Sequence, residues 1–428
     1  MSTIAGTMSD DNSDANPDGN SEAHADARGA RERWRDRVRG MMLGGALGDA
    51  LGGVVEFDGI DGIRARFGSQ GITEPAGSPA DPARITDDTQ MTLFTLEGLI
   101  RAHRARGAHR DHRALPSGTA LDQAEISVRP VRGSGVGVSG GDVSEVAIAV
   151  HAAYLRWLQT QHPDQPFGSV VPEQFLDGWL LSQPELHHRR APGSTCLSAL
   201  HATRAPGAPP GSITHPLNNS KGCGAVMRVA PVALWPGTLD TTFQLGIATA
   251  ALTHSHPSGY LSAGMLALTL RELLTGASLL EALHTVTPTL ARCPDHHETS
   301  AALAEAIQLA GREATLTPEE IARDLGGGWV GEQALAIAVY AALRAEDFAH
   351  GVRIAVNHSG DSDSTGAIAG AILGACLGYT GLPQRWLARV ELTDVIEELV
   401  ADALDELHDV PPVSQRTDAH QWRQRYPV

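Results

Sequence analysis

Positive charge is scarce in this sequence. Its 428 residues carry 33 Lys and Arg against 50 Asp and Glu, a formal net charge of −17. That balance argues against a general grip on nucleic acid, which needs a basic surface to neutralise phosphates. Only one of the basic residues, Lys221, is a lysine. Cysteine is scarce too: Cys196, Cys223, Cys293 and Cys376 lie far apart and form no CxxC pair. This disfavours a zinc knuckle or a disulfide framework. No apolar run reaches the roughly 20 residues of a membrane helix. The nearest stretch, Gly366 to Leu382, is uncharged but rich in glycine and reads as a buried helix. The polar, acidic N-terminus has no apolar signal core. These absences lead us to expect a cytoplasmic protein that makes no contact with membrane; a single large domain leads us to expect a monomer. The 42% hydrophobic content is that of a folded protein and excludes a disordered chain.

The remaining pattern is helical. Apolar residues recur at three- and four-residue spacing near 88–106, 145–161, 240–254, 258–275, 299–312, 333–346 and 365–378. Alternating strand patterns are scarce and no βαβ rhythm repeats. The expectation is one all-α domain over residues 34–410. It is preceded by a disordered acidic tail at 1–33 and followed by a loosely packed extension at 411–428. The histidine- and glycine-rich stretch at 103–142 reads as a flexible insertion.

Two glycine stripes stand out. Gly40, Gly44, Gly48 and Gly52 recur every fourth residue, as do Gly366, Gly370, Gly374 and Gly378. Residues four apart share one helix face. A glycine inside a helix costs about 1 kcal/mol relative to alanine. Four in register imply compensation by close backbone approach, with the two stripes as candidate partners. The alternative is that one or both stretches are partly loop.

The densest chemistry lies in two short segments, Thr86-Asp87-Asp88-Thr89 and Asp361-Ser362-Asp363-Ser364-Thr365. Each opens an apolar helix, and either alone is explained by helix capping. Brought together, four carboxylates repel one another unless a cation intervenes. Carboxylate and hydroxyl oxygens suit a hard ion, Mg²⁺ first, then Mn²⁺ or Ca²⁺. Four aspartates have room for two ions about 3.5–4 Å apart. Histidine and cysteine are absent from both segments, which argues against zinc.

Three smaller features accompany them. Asp49, in Gly48-Asp49-Ala50-Leu51-Gly52, is a cap or a group that orients a metal ligand. Glu56 follows and, from spacing alone, reads as a surface residue or a mobile acid. The segment Lys221-Gly222-Cys223-Gly224 offers backbone N–H groups and a lysine to a phosphate, without the full Walker A pattern. In Thr253-His254-Ser255-His256, His254 is a pocket-lining histidine or an ordinary helix-end one.

Taken in order, GMMLGGALGDALGGVVEF, ITDDTQMTLFTLEGLI, NNSKGCGAVMRVAPVAL, LTHSHPSGYLSAGMLAL and HSGDSDSTGAIAGAILGA resemble the ADP-ribosylglycohydrolase family. The resemblance runs from about Arg39 to Gly378. It implies an all-α, compact orthogonal multi-helix bundle with a binuclear Mg²⁺ site. On the matching positions Thr86, Asp87, Asp88, Asp361, Asp363 and Ser364 would be the metal ligands. Family members usually carry threonine where this chain has Ser364, so Thr365 is a possible substitute. They often carry Gly-Gly where it has Ser359-Gly360. Glu56 matches a glutamate that lines or gates the cleft, Gly222 to Gly224 match a diphosphate loop, and His254 matches a histidine beside bound ADP-ribose.

The implied activity is hydrolysis of the bond between ADP-ribose and an acceptor, with Glu56, Asp87, Asp88 and Asp363 as catalytic residues. Lys221 and Gly222 to Gly224 would hold the diphosphate beside His254. The acceptor is an ADP-ribosylated protein or another ADP-ribosylated molecule, nucleic acid being disfavoured by charge, and ADP-ribose is the product. The rival readings are a non-catalytic ADP-ribose or nucleotide-binding module and a phosphatase-like metallohydrolase.

Overall fold

The computed structural model describes the backbone of residues 17–113 and 140–428, and side chains over 28–107 and 143–428. In chain order the helices are α1 (Pro17–Gly52), α2 (Ile60–Phe67), α3 (Asp87–Arg113), α4 (Gly140–Thr160), α5 (Ser194–Thr203), α6 (Leu239–Ala251), α7 (Pro257–Thr275) and α8 (Leu279–Leu290). They continue with α9 (His297–Ala310), α10 (Pro318–Asp324), α11 (Gly331–Arg344), α12 (Phe348–Val356), α13 (Ser362–Leu377), α14 (Gln384–Leu387), α15 (Thr393–Leu407) and α16 (His420–Arg425). Among the described residues β-structure is limited to three isolated bridges. The all-α expectation holds, and each of the seven periodic segments lies on a helix. Among the described residues no helix is long and apolar enough to cross a membrane.

Local signals start and stop these helices. Ser278 and Glu281 form a capping box at α8, and Thr317 and Glu320 form another at α10. Pro257 opens α7, where its missing N–H costs nothing, and Gly276 closes it in a left-handed turn at φ 109°.

The bundle is organised around α1 and α13. Helix α13 is buried continuously from Ser362 to Ala375, the signature of a central helix with no solvent face. It lies antiparallel to α1, and the two glycine stripes face each other. A Cβ on Gly44 would come within 2.4 Å of the Gly370 carbonyl oxygen, and one on Gly370 within 2.0 Å of the Gly44 oxygen. Gly48 and Gly366 repeat the pattern at 1.9 and 2.4 Å, and Gly40 and Gly374 at 2.3 and 1.9 Å. Gly52 ends the seam against Ser362, where a Cβ would lie 2.1 Å from the carbonyl oxygen. At the opposite end Asp36 accepts from the Thr380 N–H at 3.3 Å and its hydroxyl at 3.2 Å. Seven of the eight glycines are helical; Gly378 lies just past the end of α13, at φ 73°.

The outer parts of the chain differ from expectation. Residues 1–16 of the expected tail lie outside the described residues, but 17–33 belong to α1. Of the expected insertion, 103–113 continue α3, 114–139 lie outside the described residues, and α4 begins at Gly140. The C-terminal extension is not loosely packed. Tyr426 is fully buried and donates to Asp402 at 2.7 Å, and Arg101 Nη1 donates to the Pro427 carbonyl at 3.0 Å. Its aromatic residues supply burial that a composition of Arg, Gln and Pro concealed.

Helix propensity and packing make opposite predictions for the seam. Propensity alone says that Gly48→Ala stabilises by about 1 kcal/mol. The close approach says that it destabilises by about 2 kcal/mol or more, as overpacking against backbone does. Thermal or denaturant unfolding of Gly48→Ala, expected to show a lower midpoint, decides between them.

Candidate active site

The seam delivers two helix starts to one place. The end of α1 carries Asp49, whose buried carboxylate accepts from the Thr86 N–H at 3.0 Å, the Thr89 N–H at 3.0 Å and the Thr89 hydroxyl. Asp49 thereby holds the Thr86–Thr89 segment at the start of α3 in place. Thr86 caps α3, its hydroxyl accepting from the Asp88 N–H at 3.3 Å. Asp87 is tied from the other side. Its N–H donates to the Arg190 carbonyl at 3.1 Å, and its Oδ2 accepts from the Gly193 N–H at 3.4 Å.

Across from this segment the N-terminus of α13 presents Asp361, Asp363 and Ser364, all buried. The Asp361 N–H donates to the Gly327 carbonyl at 2.8 Å, and Asp363 Oδ1 accepts from the Ser364 N–H at 2.9 Å. One carboxylate oxygen each from Glu56, Asp361 and Asp363 lies within 4.8 Å of the others. Glu56 is therefore not a surface glutamate; it is 9% exposed and faces the aspartates of α13.

The electrostatics are those of a site lacking counter-charge. Burial, and then repulsion from Asp363, push Asp87, Asp88 and Asp361 well above the usual carboxylate range. The same two causes raise Asp49 to about 7 and Glu56 to about 9. Asp88 Oδ2 is buried with no hydrogen-bond partner among the described residues. A buried, unpartnered carboxylate oxygen amid like charges fits a divalent cation, and the converging donors are hard oxygens. The hydroxyls of residues 364 and 365 separate cleanly. Ser364 Oγ lies 3.6 Å from Cys223 Sγ and 3.7 Å from Met227 Sδ, inside the site. Thr365 Oγ1 is taken by the carbonyls of Ala355 at 2.7 Å and Asp361 at 2.8 Å, and by His358 at 3.1 Å.

The Gly222–Gly224 loop forms one wall. Gly222 pairs with Val330, and the Cys223 N–H donates to the Trp329 carbonyl at 3.2 Å. The Gly222 N–H is also used, donating to Ser220 Oγ at 3.2 Å. Two of the N–H groups that the sequence offered to a phosphate are therefore already engaged. Lys221 is not brought to the cluster as a free cation. Its ammonium is shared between Glu298 at 2.8 Å and Glu332 at 2.7 Å. His254 is buried behind the loop.

Three features escaped the sequence reading. Cys223 Sγ sits 2.7 Å from Asp361 Oδ2, a thiol against a carboxylate 138 residues away. The run Gly326-Gly327-Gly328 packs under Asp361, and a Cβ on Gly360 would meet the Gly327 oxygen at 2.0 Å. Phe57 and Trp329, 75% and 47% exposed, stack with ring centroids 6.3 Å apart beside Glu56. Three consecutive glycines followed by tryptophan was the available signal. A hollow of about 460 Å³, lined by Glu56, Phe57, Arg84, Thr86 and Arg190, opens on this side of the cluster.

This chain belongs to the ADP-ribosylglycohydrolase family, whose pattern it matches over residues 30–413. It is 26% identical over 188 residues to the ADP-ribosylarginine hydrolase Tri1 of Pseudomonas putida (strain GB-1), a match spanning 44% of this chain and 47% of that protein. It is 27% identical over 194 residues to the human ADP-ribosylhydrolase ARH3, covering 39% and 53% of the two chains. An uncharacterized protein of Archaeoglobus fulgidus is 32% identical over 187 residues, covering 44% and 58%. The chain thus spans about half the length of the curated relatives it matches. A solved structure titled as an ADP-ribosylglycohydrolase-related protein complex shares the fold, with TM-score 0.50 and 24% identity over 87% of this chain and 98% of that one.

The shifted carboxyls set a pH dependence for the metal-free protein. A carboxyl whose folded pKa is raised holds its proton more tightly in the folded state, so stability falls as pH rises. The fall begins near the ordinary carboxylate value and continues through about 7 for Asp49 and about 9 for Glu56. The melting temperature in chelator is expected to drop between about pH 5 and about pH 8.5. Scanning calorimetry across that range checks the sign.

Proposed function

We propose that this protein is a Mg²⁺-dependent hydrolase that cleaves the glycosidic bond between ADP-ribose and an acceptor. The observation that carries the reading is the gathering of Glu56, Asp361 and Asp363 within 4.8 Å, with Asp87 and the unpartnered Asp88 Oδ2 near enough for Asp363 to raise their proton affinity. Family membership supplies the substrate class. In this reading Asp87, Asp88, Asp361 and Asp363, with the hydroxyls of Thr86 and Ser364, hold two ions. Mg²⁺ is the first choice and Mn²⁺ the second. Such ions supply counter-charge and Lewis acidity to sugar hydroxyls and water when bound.

The protein's own groups do the rest. Asp49 fixes the backbone of Thr86 and Thr89, so the ligands of α3 are presented without reorganisation. The seam holds the α13 ligands opposite them. Glu56 carries a proton at neutral pH in the metal-free site, raised to about 9 by burial and the neighbouring aspartates. Bound cations would relieve that repulsion and lower the value, and Glu56, facing the α13 aspartates, is the group placed to exchange a proton with a departing acceptor as oxocarbenium character develops at the ribose. The Gly222–Gly224 loop and His254 receive the diphosphate. That remote contact positions the scissile bond. Lys221 has a smaller part, because Glu298 and Glu332 already take its charge.

The test is release of ADP-ribose from arginine-linked protein, serine-linked protein and a modified nucleic acid, with Mg²⁺ and with EDTA. Wild type is expected to release it from at least one member in a Mg²⁺-dependent way. Asp363→Asn is expected to lose activity by about 100-fold or more while its circular dichroism is retained. Absence of release from every member, beside clear ADP-ribose binding, would replace the hydrolase with a binding module.

A further inference from the structure

Arg228 is an unusual buried group. It is 1% exposed, yet no carboxylate pairs with it among the described residues. Its guanidinium lies 4.3 Å from the centre of the Tyr154 ring. Nη1 reaches the sulfurs of Cys196 at 3.3 Å and Met91 at 3.6 Å. Nη2 donates to Thr253 Oγ1 at 2.7 Å and lies 3.4 Å from the Thr249 carbonyl. An arginine only donates, so Thr253 Oγ1 must accept from it. That leaves the single Thr253 proton to be given away. His254 Nδ1 is 2.8 Å from the same oxygen. The other neighbour, Cys196, is a thiol that burial holds protonated and a weak acceptor.

We propose that Arg228 and Thr253 are positioning residues that fix His254 as the neutral tautomer with its proton on Nε2, a hydrogen-bond donor aimed at the Gly222–Gly224 loop. The geometry is directional. Arginine donates to threonine; the Thr253 proton then has Nδ1 as its strongest acceptor, the Cys196 sulfur being weak, and a ring that accepts at Nδ1 carries its one proton on Nε2. The ring is uncharged: burial, and then the Arg228 charge, lower its pKa to about 3. Nε2 makes no hydrogen bond among the described residues. It occupies the space that side chains at 222 and 224 would need, with a Cβ on Gly222 falling 3.3 Å from it and one on Gly224 3.4 Å from it. The Gly222 and Cys223 N–H groups are already spent. His254 thereby supplies a donor where the loop has few left. The opposite tautomer would turn a lone pair toward an incoming phosphate oxygen.

The part played in ADP-ribose binding rests on the function proposed above; the tautomer itself does not. Two measurements keep them apart. In unliganded, ¹⁵N-histidine-labelled protein, long-range ¹H–¹⁵N correlations assigned with His254→Gln should show Nδ1 bare and Nε2 protonated. Thr253→Val, nearly isosteric, should give mixed tautomers, and Thr253→Ser should restore the wild-type pattern. Calorimetric titration with ADP-ribose in Mg²⁺ should show affinity about tenfold weaker for Thr253→Val and near wild type for Thr253→Ser. A proton on Nδ1 in wild type, or an unchanged pattern and affinity in folded Thr253→Val, would overturn the proposal. Wild type that shows the expected tautomer but does not bind ADP-ribose would overturn the functional reading and the binding role, leaving the Arg228–Thr253–His254 chain as a structural device.

Discussion

Contact between the backbones of α1 and α13 is the constraint on which the rest of the molecule depends. Carbonyl oxygens of one helix occupy the space where Cβ atoms of the other would be, at Gly44 and Gly370 and again at Gly48 and Gly366. Only glycine permits this approach. Its helix-forming penalty is offset by close packing along the whole seam and by Cα–H contacts to carbonyls. Both helices end at the chemistry. Residue 52 closes α1 four residues before Glu56, and residue 362 opens α13 between Asp361 and Asp363. A packing device and a carboxylate cluster are thus two ends of one object.

The cluster is expensive to build. Several carboxyls are buried together, each raising the proton affinity of its neighbours. The surrounding structure resists their separation through backbone anchors. Asp49 fixes the segment of Thr86, the Arg190 and Gly193 backbones tie Asp87, and Gly327 ties Asp361. Ser359 adds a further tie, its hydroxyl accepting from the Ile60 N–H at 2.9 Å at the start of α2. Where the family pattern often has a second glycine, this chain has a serine with that structural role.

How much of this was legible in the sequence follows from the range of each interaction. The glycine stripes and the two Asp-rich helix starts are local patterns, and periodicity alone placed them on helices and made the stripes candidate partners. The burial of Glu56 was not local. It depends on where α13 sits, more than 300 residues along the chain, so spacing pointed to the surface. The pairing of Lys221 with Glu298 and Glu332 was hidden for the same reason, as were the Cys223 contact with Asp361 and the stacking of Phe57 on Trp329. The C-terminal segment misled differently. Its polar composition masked Trp422 and Tyr426, which hold it down. The order of five motifs supplied the family, which no single one could.

A repeat of four has a consequence for alignment. Sliding one glycine helix past the other by four residues, about 6 Å, lays glycine on glycine again. The glycine contacts by themselves are therefore nearly indifferent to translation, like two combs of equal pitch. The residues between the teeth break the degeneracy, as where Gly45 packs on Ala371, and so do the ends: Asp36 holding Thr380 at one, and Gly52 meeting Ser362 at the other. A slip of a single tooth would carry Asp361 and Asp363 farther from Glu56 than the 4.8 Å that now gathers them. The stripes set how closely the two helices approach, while contacts outside the teeth, Asp36 far from the carboxylates among them, set the phase in which they meet.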